Sequence, residues 1–269
     1  MVGNPMAPEP IIRVTNFTAR YGENIILKDI SFEVSPGEVF IILGGSGCGK
    51  STLLRHLIGL NRPFAGTIRV DGIDISSCGD NAFQDFLKNI GVLFQSSALI
   101  GAMTLGENIA LPILEYTSLP QNAVDKMVRL KLHMVDLDGY ENRLPSELSG
   151  GMKKRAGLAR AIALNPKILF LDEPSAGLDP ITSAEIDELV LHINRNMNTT
   201  IVIVTHDLDS IFRIGQRAIM LDKETRGIIA EGRPTDLKTN SSHPMVRKFF
   251  NSRPTAEPES FIPSSDHDI

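Results

Sequence analysis

Residues 38–52, Glu-Val-Phe-Ile-Ile-Leu-Gly-Gly-Ser-Gly-Cys-Gly-Lys-Ser-Thr, constrain this chain more than any other stretch. The apolar run Val39–Leu43 reads as a buried strand. It breaks into a loop with glycines at Gly44, Gly45, Gly47 and Gly49, and Lys50-Ser51-Thr52 then opens the helical stretch Leu53–Leu60. This matches G-x-x-x-x-G-K-[ST]. Glycines let successive backbone N–H groups turn inward, and the new helix points its positive end at the same spot. From Gly44 through Ser46 and Cys48 to Thr52, the run is therefore read as a cradle for the phosphates of a nucleoside triphosphate. Lys50 supplies a point charge to the terminal phosphates, and Ser51 a hydroxyl ligand for Mg²⁺.

A chain of 269 residues can bury a large core as one domain or two. A net charge of -5 argues against broad electrostatic binding of nucleic acid. No window approaches the ~18 apolar residues of a membrane span, and Met1–Pro10 does not read as a signal peptide. Cys48 and Cys78 form neither a disulfide framework nor a zinc pattern. A cytosolic location is expected, with any membrane role depending on another chain. Cys48 reads as a small buried filler of the loop rather than a redox switch.

Residues 1–10, with three prolines, read as a loose leader. Short β-rich runs follow at Ile11–Val14, Ile25–Leu27 and Ile30–Val34, which suggests an antiparallel sheet ahead of the phosphate-loop strand. Thr67–Val70 and Ile90–Phe94 read as further strands, with a helix over Asn81–Asn89 between them. From Thr104 to Leu137 apolar residues recur at helical spacing, predicting two or three helices with a break at Leu119-Pro120. Strand–helix alternation then returns, with strands at Ile168–Leu171, Thr200–Val204, Arg217–Leu221 and Gly227–Ala230. Helices are expected over Thr182–Asn196, Asp207–Ile214 and His243–Phe250. Alternation of this kind implies a parallel sheet with the ligand at the carboxyl ends of its strands. The end of the chain, rich in proline, serine and acids, reads as disordered in isolation.

Two more stretches bear on the chemistry. Ile168–Leu171 runs into Asp172-Glu173, where the first carboxylate can hold Mg²⁺ and the second can polarise a water. Leu148-Ser149-Gly150-Gly151-Met152 precedes the helical run Ala156–Leu164; Ser149 is a good N-cap, and the glycines expose backbone donors at the helix start.

Together these residues resemble the ATP-binding cassette (ABC) ATPases over roughly residues 11–240. Phosphate loop, Gln95, the signature Ser149–Met152, Asp172-Glu173 and His206 fall in that family's order, and Ser175-Ala176-Gly177-Leu178-Asp179 looks like its D-loop. The resemblance implies an α/β P-loop NTPase with a RecA-like parallel-sheet core, an N-terminal antiparallel β subdomain and an α-helical signature subdomain near 96–165. It implies ATP and Mg²⁺ as cofactors. Tyr21 would stack on adenine, Glu173 would act as general base and His206 as switch histidine. Gln95 would bind Mg²⁺ or the lytic water, and Ser51, Gln95 and Asp172 would form the metal set. Ser149, Gly150, Gly151 and Asp179 would act in trans in a head-to-tail homodimer. Residues 96–105 would line the groove for an integral membrane permease.

Met152 departs from the glutamine most transporters of the family carry there, and methionine cannot make that glutamine's hydrogen bonds. Leu-Ser-Gly-Gly-Met, Phe94–Leu99 and Asn108–Pro112 look like the Mla-type phospholipid-transport ATPases. That likeness implies a peripheral subunit on the cytoplasmic face of the inner membrane, with a permease, an MCE lipid-binding protein and a small STAS-domain regulator as partners. It also implies a C-terminal extension over 241–269 that can reach a second ATPase, with Phe249, Phe250 and Phe261 as candidate anchors. The competing expectations are a transporter of another cargo (amino acid, metal or drug), a soluble ABC protein acting on nucleic acid or ribosomes, and a P-loop phosphotransferase. The last leaves Ser149–Gly151 without a role.

Overall fold

The computed structural model describes residues 9–251. In chain order the elements begin with β1 (Ile12–Tyr21), β2 (Asn24–Val34), β3 (Val39–Gly44), α1 (Lys50–Leu57), β4 (Ala65–Val70), β5 (Ile73–Asp74), α2 (Asp80–Lys88) and β6 (Ile90–Leu93). The helices α3 (Leu105–Tyr116), α4 (Gln121–His133) and α5 (Gly150–Ala161) follow. The chain continues through β7 (Ile168–Asp172), α6 (Pro180–Met197), β8 (Thr200–Val204), α7 (Leu208–Ile214), β9 (Arg217–Asp222), β10 (Gly227–Gly232), α8 (Pro234–Asn240) and α9 (Pro244–Asn251).

Two sheets form. The first is antiparallel with order β2-β1-β4-β5; the second has order β10-β9-β3-β8-β7-β6 and is parallel except for the edge strand β10. Every residue of β3 is buried, as expected of a central parallel strand covered on both faces. Its side chains divide by parity. Phe40 and Ile42 join Phe170 and Val202 in a core shared with the antiparallel sheet and α1. Ile41 and Leu43 join Leu169 and Ile201 in a second core shared with α3 to α6 and α9.

The fold class is the expected one, with local differences. The runs Ile25–Leu27 and Ile30–Val34 belong to one strand, β2, and the run starting at Ile11 extends to Tyr21. Asn16 and Asp29 have positive φ at register shifts between β1 and β2. Such bulges break the two-residue alternation from which a continuous strand is read. The region from Thr104 holds two helices; Thr104 and Glu107 form a capping box at the start of α3, and Pro120 is the N-cap of α4.

The C-terminal anchors need correction. Phe250 is buried in this chain's own core, where its ring packs against Phe212 and Phe249. An aromatic ring so placed has its apolar surface already covered, so it is not available as a hook for a second subunit. Phe249 is partly buried against the same cluster, and Phe261 lies outside the described residues.

Candidate nucleotide-binding and hydrolysis site

The phosphate loop connects the end of β3 to α1, and its glycines have different reasons to be there. At Gly44 (φ 144°) a Cβ would sit 2.4 Å from Cys48 Sγ and 2.5 Å from the Leu221 carbonyl oxygen. At Gly49 (φ 104°) it would sit 2.7 Å from a Leu27 methyl. These two residues are forced by packing and backbone together. Gly45 and Gly47 face open space, and both are exposed with Ser46, which leaves bare backbone for a ligand to approach.

Lys50 Nζ donates to the carbonyls of Gly44 (2.7 Å) and Gly45 (3.1 Å), holding the ammonium over the loop. Ser51 is exposed and Thr52 half-buried. Cys48 is buried, and burial pushes its thiol up despite the opposing charge of Lys50. That environment suits the filler role and disfavours a thiolate. Tyr21 closes β1 with its ring exposed, and its hydroxyl accepts a hydrogen bond from Asn61 Nδ2 (3.1 Å).

The acidic pair lies at the carboxyl end of β7. Burial, and then the neighbouring Glu173, push the Asp172 carboxyl above its ordinary range, while Arg55, Lys154 and Lys50 pull it down. Glu173 adopts a left-handed backbone (φ 48°), and its N–H donates to the Val204 carbonyl (2.8 Å). Glu173 Oε1 lies 2.7 Å from His206 Nδ1. The Glu173 side chain is 12% exposed and that of His206 68%. A withdrawn carboxylate is thus joined to an imidazole reaching outward. Gln95, just beyond β6, is exposed.

The residues present fit a nucleotide and a hard divalent cation. Ser51, Asp172 and Gln95 are all oxygen donors of the kind Mg²⁺ takes. A partly desolvated carboxylate with a raised pKa gains from a nearby cation. Bare backbone at Gly45–Gly47 and the helix start at Lys50 suit phosphate.

Signature and D-loop lie together at the start of α5, where a Cβ on Gly150 would meet a Leu178 methyl at 3.5 Å. Ser149 is the N-cap of α5 and accepts from Met152 N (3.2 Å). Gly150 and Ser149 are exposed. Gly151 is buried, and a Cβ there would meet the Thr182 methyl at 2.7 Å, so α5 and α6 approach closely only because this residue is glycine. Asp179 caps α6, accepting from Ile181 N and Thr182 N (both 3.0 Å) and from Thr182 Oγ1 (2.6 Å). Those bonds, led by the Thr182 hydroxyl, hold its carboxyl below the usual range. The Met152 side chain packs partly buried against the core.

Lys154 escaped the reading of the sequence. It is buried, and its Nζ donates to the carbonyls of Gln95 (2.6 Å) and Glu173 (3.0 Å). The signal was present: Gly151, Lys154 and Leu158 recur at helical spacing along the buried stripe of α5. Asn61, the partner of Tyr21, had no such signal.

A P-loop ATPase is what this fold and site define. Residues 27–176 match the ABC transporter family model, and the chain belongs to that family. It is 40% identical over 242 residues to a probable ribonucleotide transport ATP-binding protein, mkl, of Mycobacterium leprae, covering 90% of this chain and 69% of that one. It is 39% identical over 222 residues to the intermembrane phospholipid transport system ATP-binding protein MlaF of Haemophilus influenzae, covering 82% and 83% respectively. The methionine import ATP-binding protein MetN of Carboxydothermus hydrogenoformans is 40% identical over 226 residues, with 84% and 66% covered. Among solved structures, a dimeric ATP-binding cassette in a post-hydrolysis state bound to ADP and Pi superposes with a TM-score of 0.74. That cassette is 32% identical, with 82% of this chain and 98% of that chain covered. The chain is an ATP-hydrolysing subunit of an ABC transporter.

Proposed function

We propose that the chain energises phospholipid transport between inner and outer membranes, working as a homodimer beneath a membrane permease. One observation carries the cargo assignment. The chain spans 83% of the phospholipid-transport relative from Haemophilus, against 69% and 66% of the ribonucleotide and methionine relatives. The Leu-Ser-Gly-Gly-Met signature agrees with that reading. No helix among the described residues is long and apolar enough to cross a membrane. In this reading the permease supplies the membrane path, and this chain attaches peripherally on the cytoplasmic face of the inner membrane. An MCE lipid-binding protein and a STAS-domain regulator complete the assembly.

In this reading Gly44–Thr52 hold the phosphates of ATP and Tyr21 stacks on its base. Ser51, Asp172 and Gln95 would hold Mg²⁺, which neutralises phosphate charge when bound. Glu173 accepts a proton from the attacking water, with His206 steadying the carboxylate and the terminal phosphate. Ser149, Gly150, Gly151 and Asp179 complete the site of the opposite subunit; the exposure of Ser149, Gly150 and Asp179 at the starts of α5 and α6 supports this. The groove for the permease is placed differently from the expected 96–105, none of which line it: a cleft lined by Phe94, Leu111, Pro112, Tyr116 and Arg160 suits an apolar helix of the permease.

The test is to isolate the chain with its membrane partners from native membranes and identify bound small molecules by mass spectrometry. Stoichiometric phospholipid is expected. Recovery with a periplasmic amino-acid-binding protein and no lipid would replace this cargo by the methionine-type one.

A further inference from the structure

Lys154 is a buried cation whose two hydrogen bonds go to main-chain carbonyls rather than to a carboxylate. Burial lowers its pKa, which Glu173 and Asp172 oppose. A cation is costly to keep out of water, and a leucine or methionine would fill the same stripe of α5 without that cost. The choice of carbonyls is informative. One belongs to Gln95 and the other to Glu173, residues just beyond β6 and at the end of β7, at the edge of the sheet where hydrolysis takes place.

Glu173 is thereby held at three points. Its N–H donates to Val204, its carbonyl accepts from Lys154, and its carboxylate meets His206. A non-glycine residue in the left-handed region persists only where its surroundings over-determine it. The glutamine loop is held from the same helix. Arg160 donates to the carbonyls of Ser97 (2.9 Å) and Ala98 (2.8 Å), both also left-handed. Lys154 lies about one turn beyond the signature glycines on α5, and α5 is thus connected to both loops of the lytic site.

We propose that Lys154 is a positioning residue for hydrolysis: its ammonium ties the Gln95 and Glu173 backbones together and registers both against the helix that bears the signature. Displacement of α5 is then felt at the base of the same subunit, without any contact between Lys154 and nucleotide. The proposal rests on Glu173 being the base, so Glu173→Gln is assayed alongside.

The test is steady-state ATP hydrolysis by the full-length chain carrying Lys154→Met, Lys154→Gln or Lys154→Arg. Methionine keeps the stem and loses all donors; glutamine is shorter and keeps an amide; arginine keeps charge and several donors. kcat is expected to fall at least tenfold in Lys154→Met and less in Lys154→Gln. It should recover to within threefold of the parent in Lys154→Arg, with KM for ATP within twofold throughout. A Lys154→Met kcat within twofold of the parent overturns the proposal, as does a parallel rise in KM. Should Lys154→Met fail to fold, the glutamine and arginine variants decide: equal, parent-like rates in both overturn it. Normal turnover by Glu173→Gln would instead remove Glu173 from the base role, a separate failure.

Discussion

The helices α1 and α5 both begin at glycine-containing loops, and they are finished in opposite ways. α1 starts after Gly49 with no side chain capping its N-terminus, so its backbone donors are left for a ligand. α5 starts after Ser149, whose hydroxyl accepts from the helix's own Met152 N–H. The loop before α1 packs against Leu27 and Leu221 and is filled from within by its own Cys48. The loop before α5 closes on α6 through Gly151 and presents Ser149 and Gly150 outward. In the proposed function one glycine run builds a phosphate site inside its own subunit, and the other is offered to a second copy.

That contrast can be sharpened by variants with separable effects. Glu173→Gln is expected to lower turnover about 1,000-fold, in the range for loss of a general base, while ATP still binds and a closed dimer accumulates on size exclusion. Lys50→Ala should weaken ATP binding about 100-fold by calorimetry, as expected when a charged partner of phosphate is removed. Gly44→Ala should destabilise the fold by roughly 2 kcal/mol in denaturant titration, because its Cβ must displace Cys48 and the Leu221 carbonyl. Ser149→Ala should leave ATP affinity of the free chain unchanged, yet lower turnover about tenfold and cost about 1 kcal/mol of helix capping. Reduced ATP binding in the Ser149 variant at monomer concentrations would erase the distinction between the two helix starts.

The smallest effect is a pH dependence. The folded Asp172 carboxyl holds its proton above the ordinary value of 3.8. Its contribution therefore falls as pH rises from the unfolded value to the folded one, and stays low above that. In chelator, the thermal stability of Asp172→Asn relative to the parent should rise with pH across that window and then level off. A decline over the same window would mean that the folded carboxyl is depressed instead.

Much of this was legible in the sequence because the functional segments are also the local punctuation of the fold. Gly44–Thr52 mark a strand end, a loop and a helix start at once, and Ser149 marks the start of α5. What escaped notice depended on contacts between distant segments. The bulges at Asn16 and Asp29 arise from pairing of β1 with β2, which no single-strand pattern reveals. Phe250 has the composition of an exposed anchor, but it is buried because Phe212 on α7 lies beside α9. Lys154 reads as one basic residue among three, since its carbonyl partners lie on loops beyond β6 and β7. Asp179 shows a further limit: its capping of α6 is fully explained by local chemistry, and the sequence alone could not separate that duty from a second one across a dimer.

In the proposed function a competent hydrolytic site needs the phosphate loop of one copy and the signature of another. The direct measurement is specific ATPase activity of the isolated chain over a dilution series, with the monomer–dimer equilibrium followed by sedimentation at saturating ATP. Activity per chain should track the dimer fraction and vanish as the dimer dissociates. Constant activity per chain, down to concentrations where only monomer sediments, would contradict it.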